Sequence, residues 1–168
     1  MAYRYAGEGH PLVLLHGVLC DSRCWRRQLA DLSNRFRLVA WDAPGAGSSS
    51  DPPDPFTITD WAQCLAAFLD LVGIERTQVL GLSWGGILAQ EFYRLYPVRV
   101  LALILCDTYA GWKGSLPESV CKKRLERCLL ESLLKLAIIP NAGHVSNMEQ
   151  LEEFNAQVRR FCESNLSA

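Results

Sequence analysis

The chain has 168 residues, enough for one domain with a sizeable core and too few for two of ordinary size. Apolar residues make up 49% and charged residues 21%, which is typical of a globular protein. The formal net charge of −1 argues against a nucleic-acid partner, which would need a basic surface. We therefore expect a single globular domain over residues 1–168.

The seven cysteines have a spacing that fits no disulfide framework and no zinc site. We interpret them as reduced, mostly buried thiols and expect no metal and no cofactor. Residues 1–10 are polar and lack the apolar core of a signal peptide, and no apolar run is long enough to span a bilayer. These features predict a cytoplasmic protein with no membrane partner.

Strands and helices alternate along the first part of the chain. Continuous apolar runs predict buried strands at 12–15, 37–41, 77–82 and 100–106. Helical spacing of apolar residues predicts helices at 24–32, 60–72 and 84–96, the second with Thr59 as its N-cap. This order predicts an α/β fold, a mostly parallel sheet with helices on both faces.

The pattern after residue 106 is less regular. An amphipathic helix is predicted at 119–132, a possible last strand at 133–139 and a turn at 140–144. A final helix is predicted at 148–163, with four apolar residues facing inward: Leu151, Phe154, Val158 and Phe161.

Residues 81–85 match the G-x-S-x-G pattern between a predicted strand and a predicted helix. Such a turn strains the serine backbone and exposes its hydroxyl, while crowding requires glycine at Gly81 and Gly85. The helix that follows favours negative charge near its N-terminus. We predict Ser83 as a nucleophile in a nucleophile elbow; the alternative is a glycine-rich turn with an incidental serine.

A histidine at the end of the sheet can take the proton of such a serine. His144 lies between the possible last strand and the final helix, which predicts this role; the alternative is an ordinary surface histidine. The backbone N–H groups of Val18 and Trp84 are predicted to form an oxyanion hole. We interpret His16 as an organiser of its own loop.

Together these residues resemble the α/β-hydrolase family, in particular small serine esterases and 3-oxoadipate enol-lactonases. Residues 14–17 resemble its oxyanion strand end, 41–49 its D-x-x-G-x-G-x-S loop, 81–86 its elbow and 143–144 its histidine loop. The resemblance covers residues 3–117 and 135–163. Serine in place of aspartate at the nucleophile position argues against haloalkane dehalogenases and epoxide hydrolases.

The chain also departs from the family pattern. Family members usually carry a cap domain and one more core strand between the strand that ends at Cys106 and the histidine. The resemblance also implies that the chain begins inside the second strand of the family pattern. The resemblance therefore implies a shortened α/β-hydrolase fold, internally deleted or truncated, that lacks the cap domain and one core strand.

In the family the acid of the triad normally follows the missing strand. Asp107 alone among the acidic residues between Ser83 and His144 ends a parallel strand, where ligand chemistry gathers. We predict that Asp107 orients His144; the alternative is that it caps the following turn. The other acidic residues lie on predicted helices or near them: Glu91, Glu118, Glu126 and Glu131.

The resemblance implies a carboxylic ester hydrolase that acts on small esters or lactones through an acyl-enzyme. Two alternatives stay open. The chain is a weakly active or non-catalytic remnant that serves as a binding module, or it is an acyltransferase or cofactor-free perhydrolase with the same residues. The sequence leaves the oligomeric state open.

Overall fold

The computed structural model describes residues 1–108 and 139–166, together with the single residues 117, 119, 122 and 137. Most of the predicted helix at 119–132 and of the predicted strand at 133–139 lies outside the described residues, as do Glu118, Glu126 and Glu131. The described ranges contain no cap domain. That residues 1–168 form one domain stays a prediction.

The centre of the fold is a sheet of five strands in the order β1-β3-β2-β4-β5. Strands β3, β2, β4 and β5 run parallel, and β1 pairs with β3 in the antiparallel sense at the edge. Their bounds are β1 Tyr3–Ala6, β2 His10–Leu15, β3 Phe36–Trp41, β4 Thr77–Leu82 and β5 Val100–Cys106. The predicted mostly parallel sheet is thereby confirmed, whereas β1 was missed because its side chains are mostly exposed and form no apolar run.

Helices cover both faces of this sheet, as predicted. Their bounds are α1 Arg26–Leu32, α2 Ile58–Leu71, α3 Trp84–Leu95, α4 Ser146–Glu149 and α5 Leu151–Ser164. Short 3₁₀ turns span Ser22–Trp25 and Pro97–Arg99. In the described part of the chain no helix has the length and apolar character needed to cross a membrane.

Alternation along the strands sorts the core into two layers. In β2, Val13 and Leu15 join the cluster formed with α2 and α3. Leu12 and Leu14 point the opposite way, into the cluster formed with α1 and α5. All four side chains are buried because β2 is covered on both faces, which explains its continuous apolar run.

The final helix is divided differently from the prediction. The predicted helix at 148–163 is two helices, α4 and α5, separated at Gln150, whose φ and ψ of −129° and 60° are not helical. In α5, Phe154 and Val158 are buried as expected, and Cys162 is buried with them. Leu151 and Phe161 are only partly buried.

Helix α2 begins two residues earlier than predicted, and its N-cap is Thr57 rather than Thr59. Thr57 Oγ1 accepts a hydrogen bond from Asp60 N at 3.3 Å, and Asp60 Oδ2 accepts one from Thr57 N at 2.7 Å. This reciprocal pair is a capping box. The Thr59 hydroxyl instead donates to Glu91 Oε1 at 2.7 Å, which ties α2 to α3, so the prediction of Thr59 as the cap was wrong.

We expect Thr57→Ala to lower the free energy of unfolding by about 1 kcal/mol, because the N-cap acceptor is lost. Urea denaturation followed by circular dichroism measures this change. Thr57→Ser keeps the acceptor oxygen and serves as the matched control. Equal stability of the alanine variant and the wild type would contradict the role of this cap.

Candidate active site

Ser83 is the single residue between the end of β4 and the start of α3. Its φ of 54° and ψ of −115° lie in a region that L-residues rarely adopt, which costs about 1–3 kcal/mol. Ser83 N donates to Cys106 O at 2.9 Å, and Ser83 O accepts from Thr108 Oγ1 at 2.7 Å. Contacts with the end of β5 thus hold the strained turn.

The glycines around Ser83 lie where side chains would collide with backbone. A Cβ on Gly81 would lie 2.6 Å from Gly86 Cα, and one on Gly85 would lie 2.6 Å from His16 O and overlap Leu15 O. The start of α3 therefore rests directly on the end of β2. This close approach explains why glycine is needed at both predicted positions.

The structure brings His144 to Ser83, across 61 positions of sequence. His144 Nε2 lies 2.8 Å from Ser83 Oγ, within ordinary hydrogen-bond range. A neutral ring with its proton on Nδ1 accepts the serine hydroxyl hydrogen at Nε2. In the described part of the chain, the His144 ring makes no other hydrogen bond.

Asp107 does not make the predicted contact with His144. Its Oδ2 accepts hydrogen bonds from Ser146 Oγ at 2.8 Å and from Ser146 N at 3.1 Å. No hydrogen bond or ion pair joins Asp107 to His144 within the described residues. The physical reason is that the carboxylate accepts from the first N–H group of α4, a buried helix start that has no side-chain cap of its own.

Cys106 lies beside this carboxylate. Its Sγ donates to Asp107 Oδ2 at 3.2 Å and lies 3.3 Å from Ser146 Oγ. Burial, reinforced by the charge of Asp107, raises the pKa of the Cys106 thiol to about 12. The thiol is therefore neutral at physiological pH and serves as a hydrogen-bond donor rather than a nucleophile.

The loop after β2 lies beside Ser83. A Cβ on Gly17 would lie 3.5 Å from Ser83 Cβ, and Val18 follows directly in the turn that Cys20 N closes on Gly17 O at 3.3 Å. Trp84 is the first residue of α3, so its N–H has no acceptor within the helix. Trp84 thus follows Ser83 directly, and Val18 follows Gly17, which lies beside Ser83. The oxyanion role of both N–H groups stays a prediction.

His16 organises this loop, as predicted. Its ring is 4% exposed, and Nδ1 lies 2.8 Å from Gly17 O. Nε2 accepts from Ala43 N at 3.2 Å, so Nδ1 carries the proton. Both ring nitrogens of His16 therefore hydrogen-bond to backbone groups.

Asp42 supports the same end of the sheet from the neighbouring strand. Its Oδ1 accepts from Ser22 N at 2.7 Å, and its Oδ2 accepts from Ser48 N at 3.1 Å. A side chain on Gly47, whose φ is 56°, would collide with this carboxylate. Asp42 is thus a buried structural acid that joins the loops after β2 and β3.

Sequence reasoning missed a buried amide network that holds the His144 segment. Gln28 Nε2 donates to Asn147 O at 2.9 Å and to Asn155 Oδ1 at 3.0 Å, and Asn147 Nδ2 donates to Cys24 O at 3.2 Å. These three amide side chains are at most 5% exposed. Gln28 lies on the apolar face of its helix, one turn before Leu32. A polar residue at such a position could have indicated a buried hydrogen-bond network.

Residues 10–120 of the chain match the family model described as the α/β-hydrolase fold. The chain therefore belongs to the α/β-hydrolase family. This match spans the turn at Ser83 and the loops after β2 and β3.

Three comparisons illustrate the relationship. A poly(3-hydroxyalkanoate) depolymerase of Ectopseudomonas oleovorans is 35% identical over 107 residues, 62% of this chain and 38% of that protein. A thermophilic esterase of Thermogutta terrifontis superposes with a TM-score of 0.85 at 21% identity, covering 98% of this chain and 93% of the other. An enol-lactonase of Burkholderia xenovorans gives 0.77 at 19% identity, covering 96% of each chain.

The two structural likenesses, both at low identity, concern the fold alone. The chain also spans well under two thirds of the curated depolymerase, and 61% of a second curated relative that matches 93% of this chain. Family membership thus rests on the match over residues 10–120, and the reaction of this chain has to be argued from its site residues.

We expect Gly85→Ala to destabilise the protein by about 1–3 kcal/mol, because the new methyl group forces α3 away from β2. Thermal melting measures the loss. The matched control is Gly73→Asn: Gly73 has a φ of 67°, which asparagine tolerates, and no atom within 4 Å of an added Cβ. A Gly85→Ala variant as stable as this control would show that the close approach is unimportant.

Proposed function

We propose that the protein is a serine hydrolase of small carboxylic esters or lactones. The observation that carries the proposal is the 2.8 Å contact between Ser83 Oγ and His144 Nε2 in the strained turn between β4 and α3. A serine hydroxyl in contact with an imidazole at the carboxyl end of a parallel sheet is an arrangement suited to acyl transfer.

In the proposed reaction, Ser83 Oγ attacks the substrate carbonyl carbon while His144 Nε2 takes the hydroxyl proton. The N–H groups of Val18 and Trp84 stabilise the oxyanion of the tetrahedral intermediate. When the intermediate collapses, His144 returns the proton to the leaving alkoxide, and the acyl group stays on Ser83. A water molecule then attacks this ester, His144 takes its proton, and the carboxylic acid leaves as Ser83 regains its hydrogen.

The proposed machinery is a serine–histidine dyad, with Asp107 acting at a distance from the ring. Asp107 binds the first residue of α4, two positions after His144. It thus fixes the backbone that follows the base.

Aromatic side chains next to Ser83 favour an apolar substrate group. The ring of Trp84 lies 5.6 Å from that of Trp61, which in turn lies 4.8 Å from Phe56, both in edge-to-face geometry. All three are only partly buried, so they leave apolar surface open near the nucleophile. Trp25 is fully buried against Phe154 and is part of the core instead.

A fluorophosphonate probe should label Ser83 covalently in the folded protein, since an activated serine displaces fluoride from the probe and becomes phosphonylated. Ser83→Ala should abolish labelling, and His144→Ala should slow it by at least about 100-fold because the base is lost. Mass spectrometry of the labelled peptide gives the site. Ser50→Ala, at an exposed serine, is the matched control; an unlabelled wild type would refute the proposed function.

Asp107→Asn tests how the acid acts. Loss of an acid bonded to the histidine ring lowers kcat by about four orders of magnitude in a serine triad. Because Asp107 binds the α4 backbone instead, we expect a loss of only about tenfold, measured as kcat on p-nitrophenyl acetate.

Asp51→Asn, at an exposed aspartate, is the control for the loss of one carboxylate. A decrease near ten-thousandfold in Asp107→Asn would contradict the dyad and indicate that the carboxylate reaches the ring during turnover.

A further inference from the structure

The carboxylate of Glu149 lies across the backbone that carries His144. Its Oε2 accepts from Gly143 N at 2.7 Å, and its Oε1 accepts from Val145 N at 3.2 Å. These are the residues immediately before and after His144. One side chain thus holds the backbone on both sides of the proposed base.

We propose that Glu149 is a positioning residue that keeps His144 Nε2 in contact with Ser83 Oγ. This inference rests on the proposed function. Among the described residues the His144 ring hydrogen-bonds only to the serine, so no other polar partner fixes it and its placement depends on the backbone. A displacement of about 1 Å at a catalytic group can cost about 100-fold in rate.

Hydrogen bonds also join the backbone of Glu149 and the residue after it to the His144 segment. Its own N–H donates to Val145 O at 3.1 Å, so that Glu149 and Val145 exchange two hydrogen bonds. The next residue, Gln150, donates through Nε2 to Asn141 O at 3.0 Å. The turn before His144 is therefore tied to the end of α4 at several points.

The chemistry requires a carboxylate of this length. A glutamate presents acceptors at both oxygens, so it satisfies two N–H groups with charge-assisted bonds. Glutamine offers one acceptor, and its NH₂ group would face the second N–H. Aspartate keeps the charge but is one methylene shorter and cannot span both amides from the same backbone.

The test compares Glu149→Gln and Glu149→Asp with the wild type on p-nitrophenyl acetate. We expect kcat to fall about ten- to 100-fold in both variants, with KM within about twofold, because positioning of the base affects the chemical step and not ground-state binding. Melting temperatures and the rate of fluorophosphonate labelling of Ser83 are measured in parallel. Labelling should slow in proportion to kcat while the melting temperature stays unchanged.

The aspartate variant separates positioning from charge. If Glu149 acted only through its negative charge, Glu149→Asp would keep wild-type kcat, and the proposal would be overturned. Glu152→Gln is the matched control, since Glu152 is an exposed glutamate in the first turn of α5, and it should leave kcat unchanged.

The remaining outcomes distinguish a failure of the proposed hydrolase function from a failure of the proposed role of Glu149. A wild type that is neither labelled nor active would overturn the proposed function, and this inference with it. A labelled and active wild type whose Glu149→Gln variant keeps full kcat would overturn this inference alone. A loss of kcat seen only together with a lower melting temperature or a raised KM would show a merely structural role and also overturn it.

Discussion

The close approach between the start of α3 and the end of β2 is the constraint on which the rest of the site depends. Gly85 lies against the carbonyl groups of Leu15 and His16, where no side chain fits. This contact fixes the angle at which the chain leaves β4, and Ser83 takes a positive φ as a result. The hydroxyl is thereby presented at the carboxyl end of the sheet, beside the loop after β2.

The segment that carries His144 is held from three directions. Asp107, from the end of β5, binds the N-terminus of α4, and Gln28, from α1, binds Asn147. Glu149 bridges the amides on either side of the histidine. In a serine triad an acid holds the ring of the base; in the described part of this chain the polar contacts hold its backbone instead. The imidazole is thus held in place through the backbone of its segment and not through its ring nitrogens.

The surroundings of Asp107 explain why it binds α4 and not the histidine ring. Asp107 lies at the end of β5, where a triad acid was predicted, but its hydrogen-bond partner is the N-terminus of α4, whose N–H groups have no acceptor within the helix. Ser146 supplies both a backbone and a side-chain donor to one carboxylate oxygen. The neutral Cys106 thiol donates to the same oxygen, so Asp107 Oδ2 accepts three hydrogen bonds, none of them from the histidine.

Those features of the fold that depend on neighbouring residues could be predicted from the sequence. Strand β4 was predicted with its observed bounds because a strand covered on both faces consists of one apolar run. The bounds of β5 were also predicted, but only the first and last residues of this strand are buried, so the expectation of a fully buried strand was wrong. Strand β1 was missed because its side chains face solvent at the sheet edge. The cap of α2 was assigned two residues late because Thr57 and Thr59 are both competent caps, and only their partners, Asp60 and Glu91, tell them apart.

The sequence by itself determined the class of fold and the place of Ser83, because a strand, a tight glycine turn and a helix are each specified by neighbouring residues. It also indicated His144, by its position before the last helices. Only the tertiary structure decided the partner of Asp107 and the support of His144. Those choices depend on where α4 packs, which is set by contacts such as Gln28 with Asn147, 119 positions apart. No pattern of neighbouring residues specifies a contact between residues so far apart in sequence. The prediction that Asp107 binds the His144 ring therefore failed, and Asp107 binds Ser146 instead.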